Sequence, residues 1–323
     1  MHDLTPRGRS AALAPQSRLV LLSLLAILSS VAAPLAAQDS IPKPAAQNPS
    51  PMVEHTRAHG RIAPRVLAGI RRTFSGPLGK PVELFVPAGT KHADALNLVL
   101  YFHGSPFIPE YAVSQLGHNH VVAVVSLAPG SGVYDRTFSD PAVYDSLLVR
   151  LAREAGDALH HAAAFRTVTL VGFSAGYGAV RAILRDSTHF AQIDAVLLLD
   201  GLHTSYIPDG VPLASGGTLD EKPLEPFLRF AREAIDGRKR FLITHSEIFP
   251  GTFASTTETT DYLVQTLGLT ITPVVRWGPN GMQQLSEVRK GRFEILGFAG
   301  NSAPDHIDHA QGMPTFLRML YGL

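Results

Sequence analysis

Short runs of residues that are apolar on both faces of an extended chain alternate with helical patterns along most of this sequence. Five runs are clear and three weaker ones follow, at residues 82–86, 97–102, 121–127, 167–171 and 195–199, then 240–244, 273–277 and 293–297. Strands that are apolar on both faces are typical of parallel sheets, which helices cover on both sides. The sequence therefore predicts an α/β fold with an open, mostly parallel sheet and helices on both faces.

The segments between these runs have the spacing of amphipathic helices. The clearest helix precedes the run at 167–171 and has one apolar residue every fourth position: Val143, Leu147, Leu151, Ala155 and Leu159. Further helices are predicted over 175–184, 224–235 and 256–267, and at the end of the chain. In open sheets of this kind, functional groups collect at the carboxyl ends of the strands. The residues that directly follow each strand are therefore the first candidates for a site.

The start of the chain has the pattern of an export signal. Three arginines precede an apolar run at 19–27, and small residues follow at 29–37. We expect residues 1–37 to be a signal peptide, so that the mature protein is periplasmic or extracellular. The alternative is a retained membrane anchor, but the apolar run is short for a full span and Pro34 breaks it. After cleavage, no stable membrane span is expected.

Composition limits the remaining possibilities. Residues 38–52 are rich in Pro, Ala and Gln and are expected to form a flexible linker, whereas residues 53–323 have the pattern of one globular domain. With 28 Lys and Arg against 27 Asp and Glu, the chain offers no basic surface for nucleic acid. The absence of cysteine excludes disulfides, thiolate metal sites and cysteine nucleophiles.

The run at 167–171 leads into Gly172-Phe173-Ser174-Ala175-Gly176 and then into a predicted helix. A strand, a tight glycine-flanked turn and a helix lift a serine hydroxyl clear of the sheet. The turn also leaves the amide of the next residue free to bind an oxyanion. We predict Ser174 as a nucleophile and Ala175 as an oxyanion donor. The alternative is a glycine-rich turn that happens to contain serine.

A second strand end carries His103-Gly104-Ser105-Pro106. Acyl transfer at a serine needs a second oxyanion donor from the loop after an earlier strand, and the amide of Ser105 is predicted to supply it. The alternative is a simple turn in which His103 is a buried, hydrogen-bonded histidine. His103 is not predicted to act as the general base.

Strand-His-Gly-x-Pro, then strand-Gly-x-Ser-x-Gly-helix, then a histidine before the last helix resemble the α/β-hydrolase superfamily, and its serine esterases in particular. The resemblance covers residues 82–323 and places one α/β-hydrolase domain within 53–323. It does not indicate a subfamily. It implies an acid that follows the serine in sequence and precedes the histidine, each at a strand end.

Two histidines compete for the role of base, His306 and His309, in the segment before the last helix. His306 is predicted because it lies in the loop proper and at the better distance from Pro314, whereas His309 would already lie in the helix. Asp305 with these two histidines could also suggest a metal site. A third well-placed ligand is lacking, so no metal is expected.

Two carboxylates compete for the role of acid. Asp200 ends the clean strand at 195–199 and is predicted to orient the imidazole of the base. Glu247 follows the next strand, which is the more usual position of the acid in the superfamily, and is the alternative. Asp200 could instead belong to a simple Asp-Gly turn.

The expected function is that of an exported serine hydrolase that cleaves an acyl bond, first of all a carboxylic ester, through an acyl-enzyme on Ser174. No cofactor is expected, and the substrate would be a small molecule or a polymer that carries the acyl group. A secreted peptidase or amidase of the same fold is one alternative, and a non-catalytic binding protein is another. The turn-rich segment 203–226 is predicted to form a cap, and Trp277 to lie in the core or line the cleft.

Overall fold

The computed structural model describes residues 58–91, 93–117 and 119–323. The predicted signal peptide, 1–37, and the predicted linker, 38–52, lie outside the described residues. The described residues form the strands β1 (Gly69–Ser75), β2 (Pro81–Pro87), β3 (Leu96–Phe102), β4 (His120–Val125), β5 (Phe165–Phe173), β6 (Ala195–Leu199), β7 (Tyr206–Ile207), β8 (Thr218–Leu219), β9 (Arg240–His245), β10 (Thr272–Trp277), β11 (Gln283–Lys290) and β12 (Phe293–Phe298).

The α-helices of the same residues are α1 (Phe107–Leu116), α2 (Ser131–Phe138), α3 (Pro141–Leu159), α4 (Tyr177–Arg185), α5 (Ser187–Gln192), α6 (Glu225–Ile235), α7 (Thr256–Thr266), α8 (Ala303–Gln311) and α9 (Met313–Tyr321). None of these helices is long and apolar enough to cross a bilayer. A short 3₁₀ turn, Ser174–Gly176, joins β5 to α4.

Ten strands form one sheet in the order β1-β2-β4-β3-β5-β6-β9-β12-β11-β10. The six central strands, from β4 to β12, are mutually parallel. β2 runs antiparallel to its neighbours, as do β11 and β10 at the opposite edge. The predicted open, mostly parallel sheet is therefore confirmed.

Two separate apolar cores explain why the central strands are apolar on both faces. In β3, whose seven residues are all buried, Leu98 and Leu100 belong to the core on one side of the sheet. Val99 and Tyr101 belong to the core on the other side. Helices α3, α4 and α6 supply apolar residues to the first core, and α1 and α9 supply the second. Helices on both faces of the sheet are thereby confirmed as well.

The prediction that residues 273–277 form a strand of the parallel series was wrong. This run forms β10, which is an antiparallel edge strand and not a member of the parallel series. Its side chains Val275 and Trp277 are 79% and 73% exposed, so Trp277 does not lie in the core. β1 and β11 were not predicted, because half-exposed antiparallel strands contain polar and charged residues and lack a continuous apolar run.

Strand register brings the carboxyl ends of the parallel strands level with one another. Phe102 at the end of β3 pairs with Gly172, and Phe173 at the end of β5 pairs with Leu199 at the end of β6. Leu199 in turn pairs with Thr244 near the end of β9. The residues that follow these strands therefore gather at one edge of the sheet.

Candidate active site

Ser174 directly follows β5 and has a left-handed backbone conformation, with φ of 48°. This conformation is uncommon for a residue with a side chain and stores strain in the turn. The flanking residues must be glycine. A Cβ on Gly172 would lie 2.9 Å from the amide nitrogen of Tyr177, and one on Gly176 would overlap the carbonyl oxygen of Phe102. Backbone crowding therefore fixes the turn that carries the Ser174 hydroxyl.

Asp200 directly follows β6, and its carboxylate is buried. One carboxylate oxygen accepts hydrogen bonds from the Ser246 amide and the Thr256 hydroxyl, both at 2.9 Å. The other accepts from the Ser246 hydroxyl at 2.8 Å and from Nδ1 of His306 at 2.7 Å. Burial alone would raise the pKa of Asp200, but the nearby imidazoles of His309 and His306 and these hydrogen bonds hold it well below its usual range. The group is an anion at neutral pH.

His306 lies in the first turn of α8, not in the loop before the helix as predicted. Its ring stacks on Phe173 at a centroid distance of 4.8 Å. Because the ionised carboxylate of Asp200 can only accept, Nδ1 of His306 carries the proton in this hydrogen bond. In the tautomer with the proton on Nδ1, Nε2 carries the lone pair that a general base requires.

His309 is buried against Thr244 of β9. The side chain is 1% exposed, and its Nδ1 lies 2.8 Å from the Thr244 hydroxyl. Burial lowers the pKa of His309 to about 4, with smaller effects from neighbouring charges, so its ring is neutral at pH 7. Of the two candidate bases, the structure brings His306 to Asp200.

Glu247 is an exposed residue in the loop after β9. Its amide donates to the carbonyl of Gly300 at 2.9 Å, and its carboxylate accepts from the Gly300 amide at 3.3 Å. Glu247 thus connects two loops, while its neighbour Ser246 donates to Asp200. Of the two candidate acids, the structure brings Asp200 to His306.

The two predicted oxyanion donors have different positions. Ala175 lies in the helical turn that begins at Ser174, where backbone amides have no partner within the helix. Ala175 and Ser174 border the same cavity, which is described below. Ser105 is exposed in the loop after β3 and borders neither of the two cavities at Ser174. The Gly104 amide next to it donates to the Ser126 hydroxyl at 3.1 Å.

The strand order, the antiparallel second strand and the glycine-flanked turn at Ser174 after the fifth strand together decide the fold. This is the α/β-hydrolase fold. In this chain, the sheet has two additional antiparallel strands, β11 and β10, beyond β12. Asp200 follows β6, and Ser246, which donates a hydrogen bond to Asp200, follows β9.

No family model and no curated protein matches this sequence. Among solved structures, the chain is similar to Thermogutta terrifontis esterase 2 with bound propionate, with 14% identity and a TM-score of 0.45 over 79% of this chain and 94% of that one. It is similar to S-formylglutathione hydrolase from Staphylococcus aureus, with 14% identity and a TM-score of 0.41 over 80% and 99% of the two chains. An uncharacterised protein from Capnocytophaga ochracea gives 12% identity and a TM-score of 0.46 over 77% and 63%.

The side chains that could have suggested a metal site have three separate partners. Asp305 accepts hydrogen bonds from the amide and hydroxyl of Ser302 and caps α8. His306 binds Asp200, and His309 binds Thr244. Each of these three side chains thus has a different hydrogen-bonding partner.

His103 is hydrogen-bonded, as the alternative proposed, but it is half-buried and not fully buried. The Tyr134 hydroxyl accepts from the Leu127 amide at 3.0 Å and is hydrogen-bonded to Nδ1 of His103 at 3.0 Å. Burial, followed by the nearby His306, lowers the pKa of His103. Its ring stacks on Phe173 at a centroid distance of 6.3 Å, and Phe173 also stacks on His306. His103 thus supports the ring against which His306 packs.

Residues 59–62, which precede β1 and were not predicted to belong to the site, form hydrogen bonds with α8. Nδ1 of His59 lies 2.8 Å from the buried carboxylate of Asp308, which Arg61 also contacts. Arg61 donates to the carbonyl of Pro304 at 3.1 Å, and the Ile62 amide donates to Gln311 at 2.8 Å. These contacts fix the helix whose first turn carries His306.

Two cavities meet at Ser174. The first, of about 370 Å³, is called here the His306 cavity; the second, of about 550 Å³, is called the Arg181 cavity. The His306 cavity is bordered by Ser174, Asp200, His203, Ile248, Phe253 and His306. The Arg181 cavity is bordered by Ser131, Ser174, Tyr177, Arg181, His203 and Phe253. Ser174 thus borders both cavities.

His203 borders both cavities and was not among the predicted site residues. Its Nδ1 donates to the carbonyl of Ala254 at 2.8 Å, and burial lowers its pKa, so the ring is neutral at pH 7. Its position three residues after Asp200, just beyond the end of β6, is the signal that could have identified it. Of the predicted cap at 203–226, residues 203–205 and Pro223 border the Arg181 cavity.

Proposed function

We propose that this protein is a serine hydrolase that cleaves a carboxylic ester through an acyl-enzyme on Ser174. The observation that carries the proposal is the hydrogen bond between the buried carboxylate of Asp200 and His306, at the same cavity as the strained Ser174. A base oriented by a third group beside a nucleophile is the arrangement that activates serine.

The chemistry has two halves. Nε2 of His306 takes the proton from the Ser174 hydroxyl as its oxygen bonds to the ester carbonyl carbon, and the Ala175 amide stabilises the resulting oxyanion. The C–O bond to the alcohol then breaks, and His306 gives its proton to the leaving oxygen. Water deacylates Ser174 by the same route, and the enzyme is restored. Asp200 stabilises the imidazolium in both halves and stays ionised.

Labelling by a fluorophosphonate probe tests the nucleophile. The natural protein should be labelled, and Ser174→Ala should not be. Ser105→Ala is the matched control: it also removes one serine hydroxyl near the strand ends but keeps its backbone amide, so labelling should persist. Equal labelling of the natural protein and Ser174→Ala, or no labelling of either, would contradict the proposal.

Matched substrates test the bond that is cleaved. Short-chain nitrophenyl esters should be hydrolysed, and the corresponding nitroanilides should be hydrolysed far more slowly. Faster cleavage of the anilides would instead identify an amidase or peptidase. Binding of an ester without turnover, in a protein that no probe labels, would identify a binding protein that retains the fold.

We also propose that the protein is exported, on the strength of the residue pattern in 1–37. Expression of the full chain in a Gram-negative host should give a shortened periplasmic or extracellular form, and mass spectrometry should locate the new N-terminus near Ala37. A full-length product retained in the membrane fraction would identify an anchor instead.

A further inference from the structure

The proposed acyl-enzyme chemistry determines which cavity receives which portion of an ester. The leaving alcohol must take its proton from His306, so it must lie beside that ring. His306 borders the smaller cavity, together with apolar residues such as Ile248 and Phe253. The acyl portion must then extend from Ser174 on the other side, into the Arg181 cavity. That cavity therefore selects the acyl group.

The lining of the Arg181 cavity combines apolar residues such as Phe253 with several hydroxyl groups and one positive charge. The hydroxyls of Ser131 and Tyr177 lie 3.0 Å apart on one wall, and Thr204 and Ser205 lie on another. Among the described residues that border this cavity, Arg181 has the only side chain with a formal charge at neutral pH, because burial keeps His203 neutral. None of these described lining residues is an aspartate or a glutamate.

Arg181 is held rigidly and is not fully neutralised. Its Nε donates to Asp135 at 2.7 Å, and its guanidinium lies over the Tyr177 ring at 5.3 Å. Arg185 also donates to Asp135, with bonds of 2.9 Å to both carboxylate oxygens. Two guanidinium groups thus share one carboxylate, which leaves one positive charge. The side chain of Arg181 is 13% exposed and that of Arg185 is 44% exposed, so solvent screens the charge of Arg181 less.

Helix geometry sets the distance between this charge and the nucleophile. Arg181 follows Ser174 by seven residues through the 3₁₀ turn and α4, which corresponds to about 10 Å along a helix axis. Side chains on a helix lean toward its N-terminus, so the guanidinium leans back toward Ser174. An acyl chain of a few carbons spans the remaining distance.

We propose that the enzyme prefers esters whose acyl chain ends in a carboxylate, and that Arg181 binds this carboxylate in the Arg181 cavity. The pairing of a preorganised guanidinium with a carboxylate is stronger than a neutral contact and is directional. The hydroxyls of Ser131 and Tyr177 lie on the wall of the same cavity and can donate to the second carboxylate oxygen.

Three methyl esters of equal chain length test the preference: monomethyl adipate, methyl hexanoate and methyl 6-aminohexanoate, which end in an anionic, a neutral and a cationic group. The kcat/KM should be about tenfold or more higher for monomethyl adipate than for methyl hexanoate, and lowest for the cationic ester. Arg181→Gln should abolish this order. Arg185→Gln, which removes the other partner of Asp135 but lies outside the cavity lining, should preserve it.

Equal kcat/KM for the three esters in the natural enzyme would overturn the proposal, as would an anionic preference that survives in Arg181→Gln. Arg181→Lys keeps the charge and should keep part of the preference, which covers the case in which Arg181→Gln does not fold. If the proposed function itself were wrong, none of the three esters would be hydrolysed in a manner that depends on Ser174. This result differs from equal hydrolysis of all three esters.

Discussion

The turn at Ser174 and the Asp200–His306 pair lie at the same edge of the sheet but are held by different forces. The turn is fixed by backbone crowding, since a Cβ at Gly172 or Gly176 has no space. The pair is fixed by side-chain hydrogen bonds that converge from β9, α7 and α8 on one buried carboxylate. A single added Cβ would therefore disrupt the whole turn, whereas removal of one hydrogen bond leaves the other bonds to the Asp200 carboxylate in place. The two regions should therefore respond differently to substitution.

If Ser174 is the nucleophile as proposed, the largest effect is expected at His306. His306→Ala should lower kcat by about 10⁴-fold or more, because it removes the base that activates Ser174. His309→Gln, at the other candidate base, should change kcat by less than about tenfold, since its ring binds Thr244 in the core. Steady-state kinetics on a nitrophenyl ester measure both. A larger loss of kcat in His309→Gln than in His306→Ala would reverse the assignment.

The next effect concerns the two candidate acids. Asp200→Asn should lower kcat by about 10³- to 10⁴-fold, because an amide does not hold His306 in the tautomer that accepts the serine proton. Glu247→Gln should stay within about threefold, since this exposed carboxylate bonds to the Gly300 amide and not to His306. Comparable losses in the two variants would mean that the acid acts from the loop after β9.

A smaller effect should show that the network weakens bond by bond. Thr256→Val removes one hydrogen bond to Asp200 and should lower kcat about tenfold at unchanged KM, as expected for loss of one bond to a charged group. Thr260→Val in the same helix is the control, because that hydroxyl donates only to carbonyl groups of α7 and should leave kcat unchanged. If Thr256→Val behaves like its control, Ser246 and His306 suffice to hold the carboxylate.

The same difference explains how much the sequence could predict. The turn at Ser174 is contiguous in sequence, so five residues and their flanking strand and helix identify it. Asp200 and His306 are 106 positions apart, and each had a rival at an equally suitable strand end or helix start. Only the register of β6 against β9 and the packing of α8 decide between them. Arg181 was missed for a related reason, because its single charge on an amphipathic helix looks like an ordinary surface arginine.

The fold shows the same division between local and long-range information. β3, β4 and β6 could be predicted because burial on both faces makes each a continuous apolar run. β1 and β11 contain charged residues on their exposed faces and do not show such a run. Their places depend on pairing with β2 and β12, which no local pattern records.

The smallest expected effect is on stability, and it depends on pH. Burial lowers the pKa of His309 from 6.5 to about 4 in the folded protein, so between these values the unfolded chain binds a proton that the folded chain does not. His309 therefore does not lower the free energy of unfolding above pH 6.5. As the pH falls toward 4, proton binding to the unfolded chain lowers this free energy, by about 2 to 3 kcal/mol at pH 4.5. Asp200, whose pKa is also lowered, loses its contribution only below its usual range, under about pH 4.

Urea unfolding followed by circular dichroism at pH 7.5 and pH 4.5 measures this loss. The natural protein should lose more stability between the two values than His309→Gln, by about 2 kcal/mol, because glutamine does not titrate. His203 and His245, whose pKa values burial also lowers, titrate in both proteins and cancel in the comparison. His161→Gln, at an exposed site, is the control and should match the natural protein. Equal losses of stability in the natural protein and His309→Gln would mean that His309 can bind a proton while it stays buried. Asp200 and His306 would then have a second imidazole that titrates beside them.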